Sequence, residues 1–114
     1  MKSLLGHYPV YQSARFRIGQ VIVHKLFGYR GVIIDMDPVF MLSEDWYNQM
    51  AASHPPKECP WYHVLVHNAS HKTYVSEVNL GIEAAPDQIN HPMLGRYFSR
   101  YIKGYYIDVA NAWM

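Results

Sequence analysis

The run Trp61-Tyr62-His63-Val64-Leu65-Val66-His67 constrains the fold more than any other part of the chain. Aromatic and β-branched residues follow one another without a helix-period gap, so the segment reads as a strand. Tyr62, Val64 and Val66 point one way, and Trp61, His63, Leu65 and His67 the other. Asn68 to His71 reads as a turn, and Lys72 to Val75 returns antiparallel. A second pair lies upstream. Phe16 to Leu26 reads as a strand whose phase shifts at Gly19-Gln20, as a bulge or sharp bend requires. Gly28-Tyr29-Arg30-Gly31 is a glycine-bracketed turn, and Gly31 to Met36 completes a hairpin.

Between these pairs lies a long insertion, residues 37–60. Asp37-Pro38 ends the strand, because proline removes a ladder donor and restricts the residue before it. Ser43 is a good N-cap, Glu44 and Asp45 sit in the first turn, Trp46 and Met50 lie four apart, and His54-Pro55-Pro56 stops the helix. After Glu77 to Leu80 the chain leaves the sheet, and Ala84 to Asp87 is loop. Arg96 to Tyr106 is aromatic and basic, and reads either as a short helix then a strand or as a loop wrapped around the sheet. The expected architecture is a mainly β, small antiparallel barrel of about five strands with one short helix. A length of 114 residues fits one domain, taken as 15–110 behind a disordered or loosely attached leader, 1–14.

Composition narrows the function. Half of the residues are hydrophobic and 17% are charged, a globular balance. Ten tyrosines suit a small barrel or an exposed contact surface. The formal charge of +1 gives no global signal for nucleic acid, but the charges are polarised. Lys2, Arg15, Arg17, Lys25 and Arg30 precede any carboxylate. Asp35, Asp37, Glu44, Asp45 and Glu58 are then opposed only by Lys57, and Arg96, Arg100 and Lys103 form a second basic stretch. The single cysteine, Cys59, excludes an intramolecular disulfide and fits a reducing, cytoplasmic compartment. No apolar run approaches the ~20 residues of a membrane span.

Catalytic constellations are weak. His63, His67 and His71 invite a metal, but four residues of strand span ~13 Å, too far for two histidines to share one zinc. Cys59 lacks a basic or helix-N-terminal setting that would activate it, and reads as a loop thiol. Asp35 and Asp37 share a strand face, but aspartate before proline is a turn signature. Gly28-x-x-Gly31 lacks the lysine and helix of a phosphate cradle. The expectation is therefore a binding module, not an enzyme, with no cofactor and no metal.

Five blocks in order carry a family resemblance: Phe16-Arg17-Ile18-Gly19-Gln20-Val21; His24 with Gly28-Tyr29-Arg30-Gly31-Val32-Ile33; Asp37-Pro38; Pro60-Trp61-Tyr62-His63-Val64-Leu65-Val66; and Tyr74-Val75-Ser76-Glu77-Val78-Asn79-Leu80. Together they resemble the YccV-like, hemimethylated-DNA-binding family typified by the heat shock protein HspQ. His91-Pro92 with Gly95-Arg96-Tyr97-Phe98-Ser99-Arg100 looks like the extended form of that domain, also appended to some F-box proteins. The chain departs from the pattern at Tyr106-Ile107-Asp108, which lacks a proline and an asparagine expected after the terminal aromatic.

The resemblance implies an SH3-like barrel and two roles. One is binding of hemimethylated DNA in the control of replication initiation. The other is protein quality control, as an adaptor or stimulator of a Lon-type ATP-dependent protease. For DNA the candidate residues are Arg15, Arg17, His24, Lys25, Tyr29 and Arg30, with Arg30 at the hairpin tip as the first choice. For a protease or its clients they are Trp46, Tyr47, Trp61, Tyr62, Tyr74 and Arg96, with core packing the competing role of Trp61 or Tyr62. Glu77 is expected to hold the sheet through a cation or a backbone amide, and exposed sheet edges make self-association an expectation.

Overall fold

The computed structural model describes residues 14–84 and 86–108. Most of the expected leader and the last two residues of the expected domain lie outside them. Strands β1 (Val21–His24), β2 (Arg30–Asp37), β3 (Trp61–Val66), β4 (Lys72–Ser76) and β5 (Leu80–Ile82) form one antiparallel sheet in the order β4-β3-β2-β1-β5. The edge strands contribute Val75 and Leu80 to the same buried cluster as Phe16, Ile22, Ile33, Tyr62 and Val64. The sheet is therefore rolled around one core, although β4 and β5 do not pair with each other. A short 3₁₀ turn, Glu77–Asn79, joins them.

Alternation along β3 decides what lies on each side. Tyr62 and Val64 enter the inner cluster, while Trp61 and Leu65 face outward into two further clusters. The insertion covers Trp61. Its helix α1 (Glu44–Met50) starts where Ser43 Oγ accepts from the Trp46 amide at 3.1 Å. Its buried stripe is Tyr47 and Ala51, which pack with Cys59, Trp61 and Tyr74, while Met50 stays exposed. The C-terminal extension covers Leu65. It supplies Ile89, Phe98 and Tyr106 from a loop, a short helix α2 (Leu94–Tyr97) and a hairpin of β6 (Arg100–Ile102) and β7 (Tyr105–Ile107). The tail thus follows the first of the two readings, with a hairpin in place of one strand.

The upstream strand is shorter than expected. Only Val21–His24 is β1; Phe16 is buried, but Ile18 is 54% exposed, so the two do not share a strand face. The interruption is at Gly19, where the C-terminal hairpin docks. The Gly19 amide donates to the Ile33 carbonyl at 2.7 Å, and its carbonyl accepts from the Tyr106 amide at 2.6 Å. Gly19 has φ of +90°, and a Cβ there would lie 2.1 Å from the Tyr106 carbonyl oxygen. Only glycine meets both conditions. No helix among the described residues is long and apolar enough to cross a membrane.

Candidate nucleic-acid interface

The six DNA candidates do not form one surface. His24 is buried; its Nδ1 accepts from the Leu26 and Phe27 amides, both at 3.1 Å, and its ring stacks on Phe27 at 4.5 Å. Burial lowers its pKa from 6.5, and the two amides hold it as the neutral Nε2–H tautomer. Its role is to lock the β1–β2 turn. Tyr29 is half-buried against it, and burial raises the phenol pKa. Arg30 is the first residue of β2, not a free hairpin tip. Its Nε lies 3.5 Å from the Glu83 carboxylate and its guanidinium donates to the Asp87 carbonyl. Arg15 and Lys25 are exposed. The Arg15 amide donates to buried Glu77, and Lys25 hangs from the end of β1.

Arg17 finds a different neighbourhood. Its guanidinium lies 4.6 Å above the Tyr105 ring, at the wall of an open groove of about 610 Å³ between the segment before β1 and the C-terminal hairpin. Arg96, assigned from sequence to a protein partner, lines the same groove. The hairpin explains the rest. Tyr101 and Tyr106 point inward, with ring centroids 4.9 Å apart, and pack on the sheet. The register pairs Arg100 with Ile107 and Ile102 with Tyr105, so these four share the opposite face. Arg100, on that face, and Lys103, at the hairpin turn, are exposed cations outside the groove lining. Exposed Ile18 and Ile102 form the apolar floor of the groove, and Asp108 is the carboxylate in the lining.

Most of the aromatic partner candidates are structural. Trp61 and Tyr62 are fully buried; the Trp61 indole donates to the Pro56 carbonyl at 3.1 Å, and the Tyr62 hydroxyl to Glu77 at 2.7 Å. Tyr47 donates to the Pro55 carbonyl at 2.7 Å, and Tyr74 to Asp37 at 2.6 Å. Burial, and then the carboxylate acceptor, raise the pKa of Tyr62 and Tyr74. Trp46 is half-buried and, with exposed Phe27 and Met50, borders a second, smaller pocket of about 210 Å³. Glu77 holds the sheet through the Arg15 amide at 2.8 Å, in addition to Tyr62.

The residues weighed for catalysis have other duties. Asp37 is the last residue of β2 and shares a face with Asp35, but its carboxylate takes Tyr74 and lies 3.2 Å from His63 Nε2. His67 Nδ1 accepts from the Asn90 amide at 2.8 Å, and the His71 carbonyl lies 3.0 Å from His91 Nε2, so these two positions of the histidine series hold the C-terminal extension. Among the described residues no three His, Cys, Asp or Glu side chains gather as a metal site. Cys59 is a loop thiol, as expected, but a buried one, 3.2 Å from Ser76 Oγ.

A rolled five-stranded sheet with its core filled, and with accessible basic and aromatic groups on the outside, defines a small β-domain whose open groove lies on its surface. The family model described as "Hemimethylated DNA-binding protein YccV like" matches residues 14–105, and the chain belongs to this YccV-like family. F-box only protein 21 of Mus musculus is 37% identical over 98 residues, and that of Homo sapiens 36%. Each alignment covers 84% of this chain; the mouse protein is covered over 16% of its length and the human over 15%. The chain therefore spans about one sixth of the curated relatives it matches.

The sequence signal missed for the groove was the hairpin. Arg100, Ile102, Tyr105 and Ile107 alternate as a β-face should, but only a turn at Lys103-Gly104, with φ of +45° and +90°, makes that alternation two-stranded.

Proposed function

We propose that this domain is a non-enzymatic DNA-binding module, acting on hemimethylated DNA in the control of replication initiation. The observation that carries this reading is the meeting of Arg17 and Arg96 in one groove, with Arg100 and Lys103 on the same hairpin. The description of the family supports the choice of DNA as ligand. Four cations make modest affinity, because each phosphate contact releases counterions and contributes about −0.9 to the log–log salt slope. The test is fluorescence anisotropy with labelled hemimethylated, fully methylated and unmethylated duplexes across a salt series. The expected result is binding that weakens with salt at a slope of about −2 to −4. No binding to any duplex at low salt sinks the reading.

A second reading is a cytoplasmic protein-quality-control adaptor for a Lon-type protease. What favours it is the smaller pocket, where Phe27 and Met50 stay 69% and 64% exposed beside Trp46. An exposed, flexible methionine beside aromatic rings suits unfolded or varied polypeptides. Addition of the domain should change client degradation rates; unchanged rates over a wide concentration range remove this reading.

A further inference from the structure

The larger groove has an apolar floor that phosphate binding does not explain. Ile18 is 54% exposed and Ile102 42% exposed, and half-buried Tyr105, the cross-strand partner of Ile102, belongs to the same lining. Exposed apolar area is unfavourable in water and gains nothing from a sugar–phosphate backbone. It gains from the face of a nucleobase, since aromatic and apolar side chains under a cationic rim are how proteins hold unpaired strands. A paired base keeps its faces stacked on its neighbours, so only an unpaired one has a face to offer.

We propose that the groove holds an unpaired nucleotide, its base against Ile18, Ile102 and Tyr105 and its phosphate between Arg17 and Arg96. The inference rests on the DNA reading above and adds the state of the DNA to it. Two sources supply this ligand: a single strand, or a base turned out of a duplex at a weak step. Arg17 lies 4.6 Å over the Tyr105 ring, and Tyr97 is a further aromatic residue in the same lining. Asp108 sets a limit on the phosphate path, which must run on the arginine side.

The experiment is an anisotropy titration of the whole chain at fixed low salt with three labelled probes of one sequence: a single strand, a matched duplex, and a duplex with one central mismatch. The double variant Ile18→Ser/Ile102→Ser is measured beside the wild type; both positions are solvent-exposed, so the fold tolerates them. The single strand should bind at least about fivefold tighter than the matched duplex, as one stacked base provides. Tight binding of the mismatched duplex as well assigns the ligand to an extruded base; its absence assigns it to single strands. The double variant should lose that preference and keep the salt slope. Equal affinity for all probes, unaffected by the double variant, overturns the unpaired-nucleotide site and leaves DNA binding standing. Failure to bind any probe overturns both.

Discussion

Two layers cover the outer face of the sheet, and they leave very different surfaces. The insertion, residues 38–60, and the C-terminal extension, residues 86–108, rest on the same strand, one over Trp61 and the other over Leu65. The insertion packs Phe40, Trp46 and Tyr47 onto Trp61 and Tyr74 of the sheet, and the polar atoms of the buried rings are closed: Tyr47 on Pro55, Trp61 on Pro56, Tyr74 on Asp37. The extension ends in a hairpin. A hairpin laid on a sheet buries alternate residues only, so it necessarily presents a second face. Here that face carries Arg100, Ile102, Tyr105 and Ile107. A wealth of aromatic residues therefore does not mark a contact surface; an aromatic on the unburied side of a two-sided element does.

The sharpest way to break this comparison is truncation on each side. Trp61→Ala removes a fully buried ring in contact with Phe40, Trp46, Tyr47 and Tyr74, and should cost about 3–5 kcal/mol. Ile102→Ser, on the open hairpin face, should stay within about 0.5 kcal/mol. Urea denaturation of the two variants measures both; similar losses would mean that the hairpin face is also core.

Next in size is the seam between the extension and the sheet. Gly19→Ala forces a side chain into a positive-φ site against the Tyr106 carbonyl. A strained non-glycine backbone alone costs about 1–3 kcal/mol, and the hairpin can avoid the clash only by lifting away. Hydrogen exchange should show the Tyr106 amide, which bonds to Gly19, losing protection while the β3 amides keep theirs. Uniform loss across both would show that the extension does not open separately from the sheet.

A smaller effect separates the groove arginine Arg96 from the tied Arg30. Arg96→Ala should lower the magnitude of the salt slope for duplex binding by about 1. Arg30→Ala should change the slope less, because Glu83 and the Asp87 carbonyl already hold that guanidinium. The reverse ranking would move the DNA face back to the β1–β2 hairpin.

The strands and the insertion were legible because their signals are local. Alternation along Trp61–His67 and the Ser43 cap survive in the structure, as does the glycine at the phase shift. The site was not legible, because it is made by chain segments that meet only after folding. Arg17 precedes Arg96 by most of the domain, and nothing near Arg17 in sequence announces Tyr105 as its platform. Arg30 misled for the same reason: its partners, Glu83 and Asp87, come from the far side of β5. Tyr62 and Glu77, by contrast, both lie within the family blocks, and the structure joins them by a 2.7 Å hydrogen bond.

The mildest expected effect concerns the β1–β2 turn, which is organised by a neutral histidine. His24 Nδ1 accepts two backbone amides, and a protonated ring would lose that acceptor. Burial holds the folded pKa below 6.5, so between the folded value and 6.5 the unfolded chain binds more protons. Stability linked to His24 is then complete above the unfolded pKa and declines as pH falls toward the folded one. Thermal unfolding from about pH 7.5 down to about pH 5.5 should show this decline in the wild type. His24→Gln keeps a side-chain acceptor but cannot titrate, so its profile should be flatter at the acidic end, with a lower plateau from lost stacking on Phe27. Parallel profiles for the two proteins would assign the acid sensitivity to other groups and leave the turn with a purely steric origin.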